Sequence, residues 1–198
     1  MRQGATRGKF SERGFDLYQT PPCATQALIR TGELSRLVKL RIWEPAAGLG
    51  AISRELKASG YQTWASDLCA YEGRDLDIST GIDFLTRHLP IDDRVEVIVT
   101  NPPYKLADQF IRHGLSLGLP VIVLLRLMAI EGAGRSDLID KHLVRVWAGI
   151  ERLPFMHREG WAGPRNSNSG APFAWFVFDP QPRSSLGFEV RRMSWRVA

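Results

Sequence analysis

The sequence predicts an α/β fold built on one open, mostly parallel sheet with helices on both faces. Three observations predict it. Short β-branched and apolar runs alternate with segments of helical period through residue 143. Several of those runs, VEVIVT (95–100) and LPVIVLLRL (119–127) above all, are apolar almost throughout, as in strands covered on both faces. Beyond residue 143 two strands follow one another with no helix between them, which predicts an antiparallel edge.

Residues 1–17, rich in glycine and charge, predict a flexible basic arm carrying Arg2, Arg7, Lys9 and Arg13. One domain is expected over 18–198. TPPCATQALIRTG (20–32) predicts a helix with Thr20 as N-cap, prolines in the first turn and Gly32 as the stop. RLVKLRIWEP adds a short helix and a strand ending near Glu44. LGAISRELKASG (49–60) is a helix, YQTWASD (61–67) a strand, and GIDFLTRHLP a short helix opened by Asp83. VEVIVT is a strand, LADQFIRHGLSLG (106–118) a helix with a glycine stop, LPVIVLLRL a strand and GRSDLIDKHL (134–143) a helix. VRVWAGI and APFAWFVFDP are the closing strands.

Composition narrows the class. At 198 residues and 44 % hydrophobic content the chain suits one domain with a proper core. No apolar run reaches the ~18 residues that span a bilayer. The N-terminus has no apolar h-region, so a cytoplasmic protein is expected. Cys23 and Cys69 make no metal-binding spacing, and the four histidines form no ligand pair, so no metal is expected. The net charge of +5 suits a polyanionic partner. A second basic cluster, Arg191, Arg192 and Arg196, reads equally well as a solvated tail or a phosphate contact.

WEPAAGLGAIS (43–53) places glycines between a strand and a helix, where open α/β sheets bind ligands. Gly48 and Gly50 permit a tight turn and close backbone approach. The loop lacks the GK[ST] of a Walker loop, and Ser53 replaces the third glycine of the dinucleotide fingerprint. Glu44 ahead of the loop disfavours pyrophosphate and favours a cationic ligand. Asp67, at the end of the next strand, is placed to accept both hydroxyls of a ribose. Asp83 can accept from an adenine amino group, and Phe84 can pack on the ring. A ribose, an adenine and a cationic group together describe S-adenosylmethionine. The plainer alternatives are a capping Asp83, a core Phe84 and a solvated Asp67.

In order and spacing, TPP, EPAAGLG, Asp67, DFL and NPPY resemble the class I S-adenosylmethionine-dependent methyltransferases that modify exocyclic or amide nitrogens. The likeness spans roughly residues 16–180 and is nearest to small phage and prophage adenine-N6 DNA methyltransferases of gamma-type order. It implies a Rossmann-like, doubly wound sheet of seven mostly parallel strands with an antiparallel edge strand. It also implies Thr20 and Pro21 beside the methionine part of the cofactor, and Glu44, Ala46, Gly48 and Gly50 around its amino acid and ribose. Asp67 would take the ribose hydroxyls, and Asp83 and Phe84 the adenine.

The NPPY segment has chemistry of its own. Proline fixes φ, lacks an N–H and pushes the preceding residue into extended backbone. Asn101, Pro102 and Pro103 thus form a stiff ledge rich in acceptors. The Asn101 side-chain oxygen and the Pro102 carbonyl can each take one N–H of a target amino group, and Tyr104 can stack on its ring. The substrate that the resemblance favours is adenine N6 in DNA. Ribosomal RNA (guanine N2 or adenine) is the alternative, followed by a protein glutamine amide and a non-catalytic nucleic-acid-binding module. No separate target-recognition domain fits in the chain. Its place falls to RLPFMHREGWAGPRNSNSGAP (152–172), with Phe155, His157, Arg158, Trp161, Arg165, Asn166 and Asn168. The resemblance implies a second stacking aromatic there; Phe155 is the choice and Trp161 the competitor.

Overall fold

The computed structural model describes residues 17–37, 39, 41–87, 94–154, 169–183 and 187–196. Its elements are α1 (Pro22–Arg30), α2 (Glu33–Leu37), β1 (Arg41–Glu44), α3 (Ala51–Ala58), β2 (Thr63–Asp67), β3 (Ser79–Thr80), β4 (Val95–Thr100), α4 (Ala107–Ser116), β5 (Val121–Arg126), α5 (Ser136–His142), β6 (Leu143–Gly149), β7 (Phe173–Phe178) and β8 (Glu189–Met193). The strands form a single sheet in the order β3-β2-β1-β4-β5-β7-β6-β8.

Alternation along the strands builds two cores. Ile42, Val97, Val99, Ile122, Leu124, Trp175 and Val177 face one side, where Ala24, Leu28, Leu34, Ile52 and Leu56 of α1–α3 cover them. Trp43, Ile98, Val121, Val123, Leu125, Phe176 and Phe178 face the other, under Phe110 and Ile111 of α4 and Leu138 of α5. Period-two side chains buried on both faces explain why these strands read as unbroken apolar runs. Gly114 seats α4 closely: a Cβ there would lie 2.6 Å from Val121 Cγ2 and 2.9 Å from Ile98 Cδ1.

The expected fold class holds, with two refinements. Among the described residues the sheet has eight strands rather than seven. The antiparallel strand is β7, which lies inside the sheet between β5 and β6, while β8 forms the rim in parallel with β6. Four of the five β8 residues are exposed, and ion pairs hold the strand. Arg145 Nε meets Glu189 Oε2 at 2.7 Å, and Arg145 Nη1 reaches the buried Glu33 at 2.7 Å. Arg191 of the expected basic tail belongs to this strand, paired with Glu189 at 2.5 Å and stacked over Trp147. Leu17, last residue of the expected arm, is buried. Residues 1–16 lie outside the described residues, among which no helix is long and apolar enough to cross a membrane.

Candidate active site

The sheet's carboxyl edge carries a cavity of about 220 Å³. It opens where β1, β2 and β4 end. The glycine loop is its floor, the turns after β2 and β3 one wall, and the chain before α1 with the ledge after β4 the other.

The loop leaves β1 at Glu44 and turns through Gly48 (φ 56°) and Gly50 (φ 89°) into α3. Side chains rarely adopt these dihedrals. Each glycine is also pressed by another part of the chain: a Cβ on Gly48 would lie 2.6 Å from Leu17 Cδ1, and one on Gly50 2.5 Å from Asp75 Oδ2. Glu44, 1 % exposed, turns back under the loop, where its Oε2 accepts the Ser53 N–H at 2.7 Å. Burial pushes its carboxyl up to about 8. Asp67 Oδ2 accepts the Gly48 N–H at 2.8 Å, and its Oδ1 accepts the Cys69 N–H at 2.8 Å. Burial raises its pKa too. Each carboxylate oxygen has two lone pairs, so one backbone bond apiece leaves capacity for two hydroxyl donors.

Asp83 caps the short 3₁₀ turn Phe84–Thr86, its Oδ1 accepting the Leu85 N–H at 3.0 Å. Phe84 is 2 % exposed, with ring centroids 5.1 Å from Trp43, 4.8 Å from Phe110 and 4.8 Å from His113. Both residues line the cavity while doing structural work. Leu68, directly after Asp67, is 60 % exposed and stands on the same wall. Sequence reasoning missed it. The available signal was a large apolar side chain following a strand-ending acid.

Opposite stands the ledge. Asn101 is half-buried and donates from Nδ2 to Thr20 Oγ1 at 3.1 Å, with a longer approach of 3.5 Å to the Tyr18 carbonyl. Thr20 is therefore not the N-cap of α1. Pro21 holds that position without a side-chain bond, and Ala24 N–H closes on the Pro21 carbonyl at 2.9 Å. The reason is Pro22, which removes one of the donors a cap would serve. Pro102 is buried, and Pro103, in extended backbone, accepts from Leu106 N–H at 2.9 Å. Tyr104 opens the 3₁₀ turn into α4. Its ring lies 5.7 Å from that of Tyr18, and the Arg126 guanidinium sits over it at 5.3 Å.

The structure thus gathers Thr20, Glu44, Ala46, Gly48, Asp67, Asp83, Phe84, Asn101 and Pro103 around one cavity. Gly50 adjoins it through the loop, Pro21 through α1, and Tyr104 through the ledge. Phe155, His157, Arg158, Trp161, Arg165, Asn166 and Asn168 lie outside the described residues.

Charge describes what the cavity fits. Among the described residues its lining holds three carboxylates, Glu44, Asp67 and Asp83, and no lysine, arginine or histidine. Such a donor set repels phosphate and accepts hydroxyl, amino and cationic groups.

Neither a protein-family model nor a curated protein sequence matches the chain. Solved structures do. A provisionally assigned RNA methyltransferase from Pyrococcus horikoshii superposes with a TM-score of 0.59 at 13 % identity, over 82 % of this chain and 86 % of that one. The modification subunit of a provisionally assigned type I restriction enzyme from Vibrio vulnificus gives 0.56 at 13 %, over 92 % of this chain and 48 % of its own. The 23S rRNA methyltransferase ErmE gives 0.51 at 16 %, over 86 % and 71 %. The fold is the Rossmann-like methyltransferase fold. The chain spans about half of the restriction subunit, and the likeness at these identities is one of architecture.

Proposed function

We propose that the chain is an S-adenosylmethionine-dependent N-methyltransferase acting on the exocyclic amino group of a nucleobase, with adenine N6 in DNA as the favoured target. One observation carries the reading. A cavity walled by three acids and no base meets, at the same sheet edge, a proline-stiffened asparagine followed by a tyrosine. The acids fit a nucleoside bearing a cation in place of phosphate, and the ledge fits a planar amino group.

When bound, S-adenosylmethionine supplies an activated electrophilic methyl group. Glu44 sits under the loop and, when its proton is drawn off, offers negative charge to the cationic end of the ligand. Asp67 accepts the ribose hydroxyls, Asp83 the adenine amino group, and Leu68 and Phe84 flank the adenine ring. Pro21 and Ala46 shape the walls of that pocket.

Across the cavity, Thr20 fixes which end of the Asn101 amide is Nδ2, so Oδ1 points away from Thr20. We assign Oδ1 as acceptor for one target N–H and the Pro102 carbonyl for the other. Two acceptors on a rigid ledge aim the nitrogen lone pair at the methyl donor before reaction, so little reorganisation is needed during it. Tyr104 stacks on the ring that carries the amino group, a contact worth about 1–3 kcal/mol per base. That is comparable to the cost of extruding a base from a duplex. Phe155, Arg158, Trp161 and Arg165 are proposed as further contacts to the nucleic acid.

The test is to incubate the protein with methyl-labelled S-adenosylmethionine and, separately, unmethylated DNA, ribosomal RNA and protein extract. The modified nucleoside is then identified by mass spectrometry. N6-methyladenine in DNA is expected. N2-methylguanine or methyladenine in RNA keeps the chemistry and changes the polymer. Label found only in protein refutes the nucleobase reading.

A further inference from the structure

The turn that follows β5 carries a feature the proposed chemistry does not use. β5 is the neighbour of β4 in the sheet, so the chain leaving β5 emerges beside the Asn101–Tyr104 ledge. The last residue of β5, Arg126, is exposed, and its guanidinium lies over the Tyr104 ring at 5.3 Å. The next four residues, Leu127–Ile130, form a 3₁₀ turn. Leu127 and Ala129 pack inward on the core. Met128 and Ile130 project outward, 57 % and 40 % exposed.

This turn is braced rather than loose. The Leu127 N–H donates to the Pro172 carbonyl at 2.9 Å, and the Glu131 N–H to Met128 O at 3.0 Å. Arg135 Nη1 donates to the Ala129 carbonyl at 3.0 Å, while its Nη2 is held by Asp108 of α4 at 3.3 Å. The result is a fixed protrusion with a cation at the platform end and two apolar side chains beyond it.

We propose that the turn from Arg126 to Ile130 opens a DNA duplex for the site: Arg126 takes a phosphate beside the target nucleotide, and Met128 and Ile130 enter the base stack that the target base leaves. The inference rests on the nucleobase reading above. An incoming base that stacks on the face of Tyr104 covered by Arg126 competes with the guanidinium, because both bind an aromatic ring through its face. A base that takes its place on the ring displaces Arg126, and the nearest strong acceptor for a displaced guanidinium is the backbone of the strand that delivered the base. Apolar wedges of this size separate base steps and hold the duplex open. An extruded base also leaves a gap that an apolar side chain on a rigid turn can fill, offsetting part of the unstacking cost.

Two variants test this: Arg126→Gln, and Met128→Ser combined with Ile130→Ser. The changed side chains are exposed, so melting temperature and affinity for S-adenosylmethionine should match wild type. Methyl transfer is measured on unmethylated double-stranded DNA, on the same DNA as single strands, and on RNA transcribed from it. The double serine variant should lose about tenfold on duplex and little on single strands, which have no stack to open. Arg126→Gln should weaken duplex binding and reduce the slope of log affinity against log salt by about 0.9, one phosphate contact. Equal losses of the serine variant on duplex and single strands, or no loss on either, would overturn the wedge. An unchanged salt slope would overturn the phosphate role of Arg126. If the wild type modifies only single strands or only RNA, the nucleobase reading stands and the duplex-opening turn falls. If it modifies only protein, both fall.

Discussion

The two walls of the cavity are built on opposite plans. On the wall proposed to hold the cofactor, the carboxylates already hold the protein together. Glu44 and Asp67 take three backbone N–H groups between them and fix the glycine loop to α3 and to the turn after β2. On the wall proposed to face the target, stiffness comes from covalent geometry. Two prolines set the ledge, and the side chain of Asn101, donating to Thr20 and more distantly to the Tyr18 carbonyl, adjusts it. The difference teaches that binding and stability are coupled on one wall and separable on the other.

Substitution at Asn101 is the sharpest way to break that comparison. Asn101→Ala removes the proposed acceptor and leaves Pro102 and Pro103 in place. Methyl transfer should fall by about 10²–10³ or more, as when one preorganised hydrogen-bonding group is deleted from an active site. Cofactor affinity by calorimetry and melting temperature should stay close to wild type. Transfer near the wild-type rate would remove Asn101 from the chemistry. A large drop in melting temperature would show that the ledge is no more separable than the opposite wall.

Asp67→Ala should give the reverse pattern. It strands the Gly48 and Cys69 N–H groups, at about 1–3 kcal/mol for each group left buried and unpaired. Cofactor affinity should fall by tenfold or more and the melting temperature with it. Unchanged calorimetric affinity would exclude the ribose role, whatever the stability change.

How much of this was legible follows the same division. The doubly covered strands announce themselves, because Val97–Val99 and Val121–Leu125 are apolar on both faces and nothing polar interrupts them. The glycine loop is legible because its positive-φ positions restrict residue type. β8 was not legible. Its sequence, EVRRM, is exposed and charged, and it is a strand because it pairs in parallel with β6, where Arg145 and Trp147 also hold Glu189 and Arg191. The partner of Asn101 was hidden for a similar reason. Thr20 stands 81 residues away, and the local pattern, a threonine before a helix, predicts a cap. Leu68 was overlooked because an exposed leucine is ordinary until a cavity is seen beside it.

Glu44 makes the coupling on the cofactor wall visible through pH. Its carboxyl titrates at about 8 in the folded chain against an ordinary 4.5. Between those values the folded protein holds a proton that the unfolded chain has released. The contribution to stability is therefore full below the lower value and is lost as pH rises through the upper one. The unfolding free energy from denaturant titrations should fall across this window by an amount on the order of a few kcal/mol. Glu44→Gln, which keeps an acceptor for the Ser53 N–H, should flatten the profile. A cationic ligand draws the proton off, so wild-type affinity for S-adenosylmethionine should rise with pH through about 8 and that of the variant should not. Parallel profiles for the two proteins would place the titration elsewhere.

Thr20→Val tests the adjustment on the target wall and carries the smallest expected effect. Valine keeps the shape of threonine and removes the acceptor for Asn101 Nδ2. The amide then loses the shorter of two bonds that select its orientation, worth about 0.5–1.5 kcal/mol, and keeps the 3.5 Å approach to the Tyr18 carbonyl; the flipped rotamer, which presents Nδ2 where Oδ1 belongs, gains population. A population shift of that size lowers methyl transfer by roughly tenfold or less. The loss should fall mainly on kcat, because valine keeps the volume of threonine in the cavity lining and the Tyr104 platform is unchanged. Melting temperature should hold, since Thr20 contributes no cap to α1. A loss expressed wholly in cofactor affinity would instead assign Thr20 to the methionine end of the ligand, and would make the Asn101 bond incidental to catalysis.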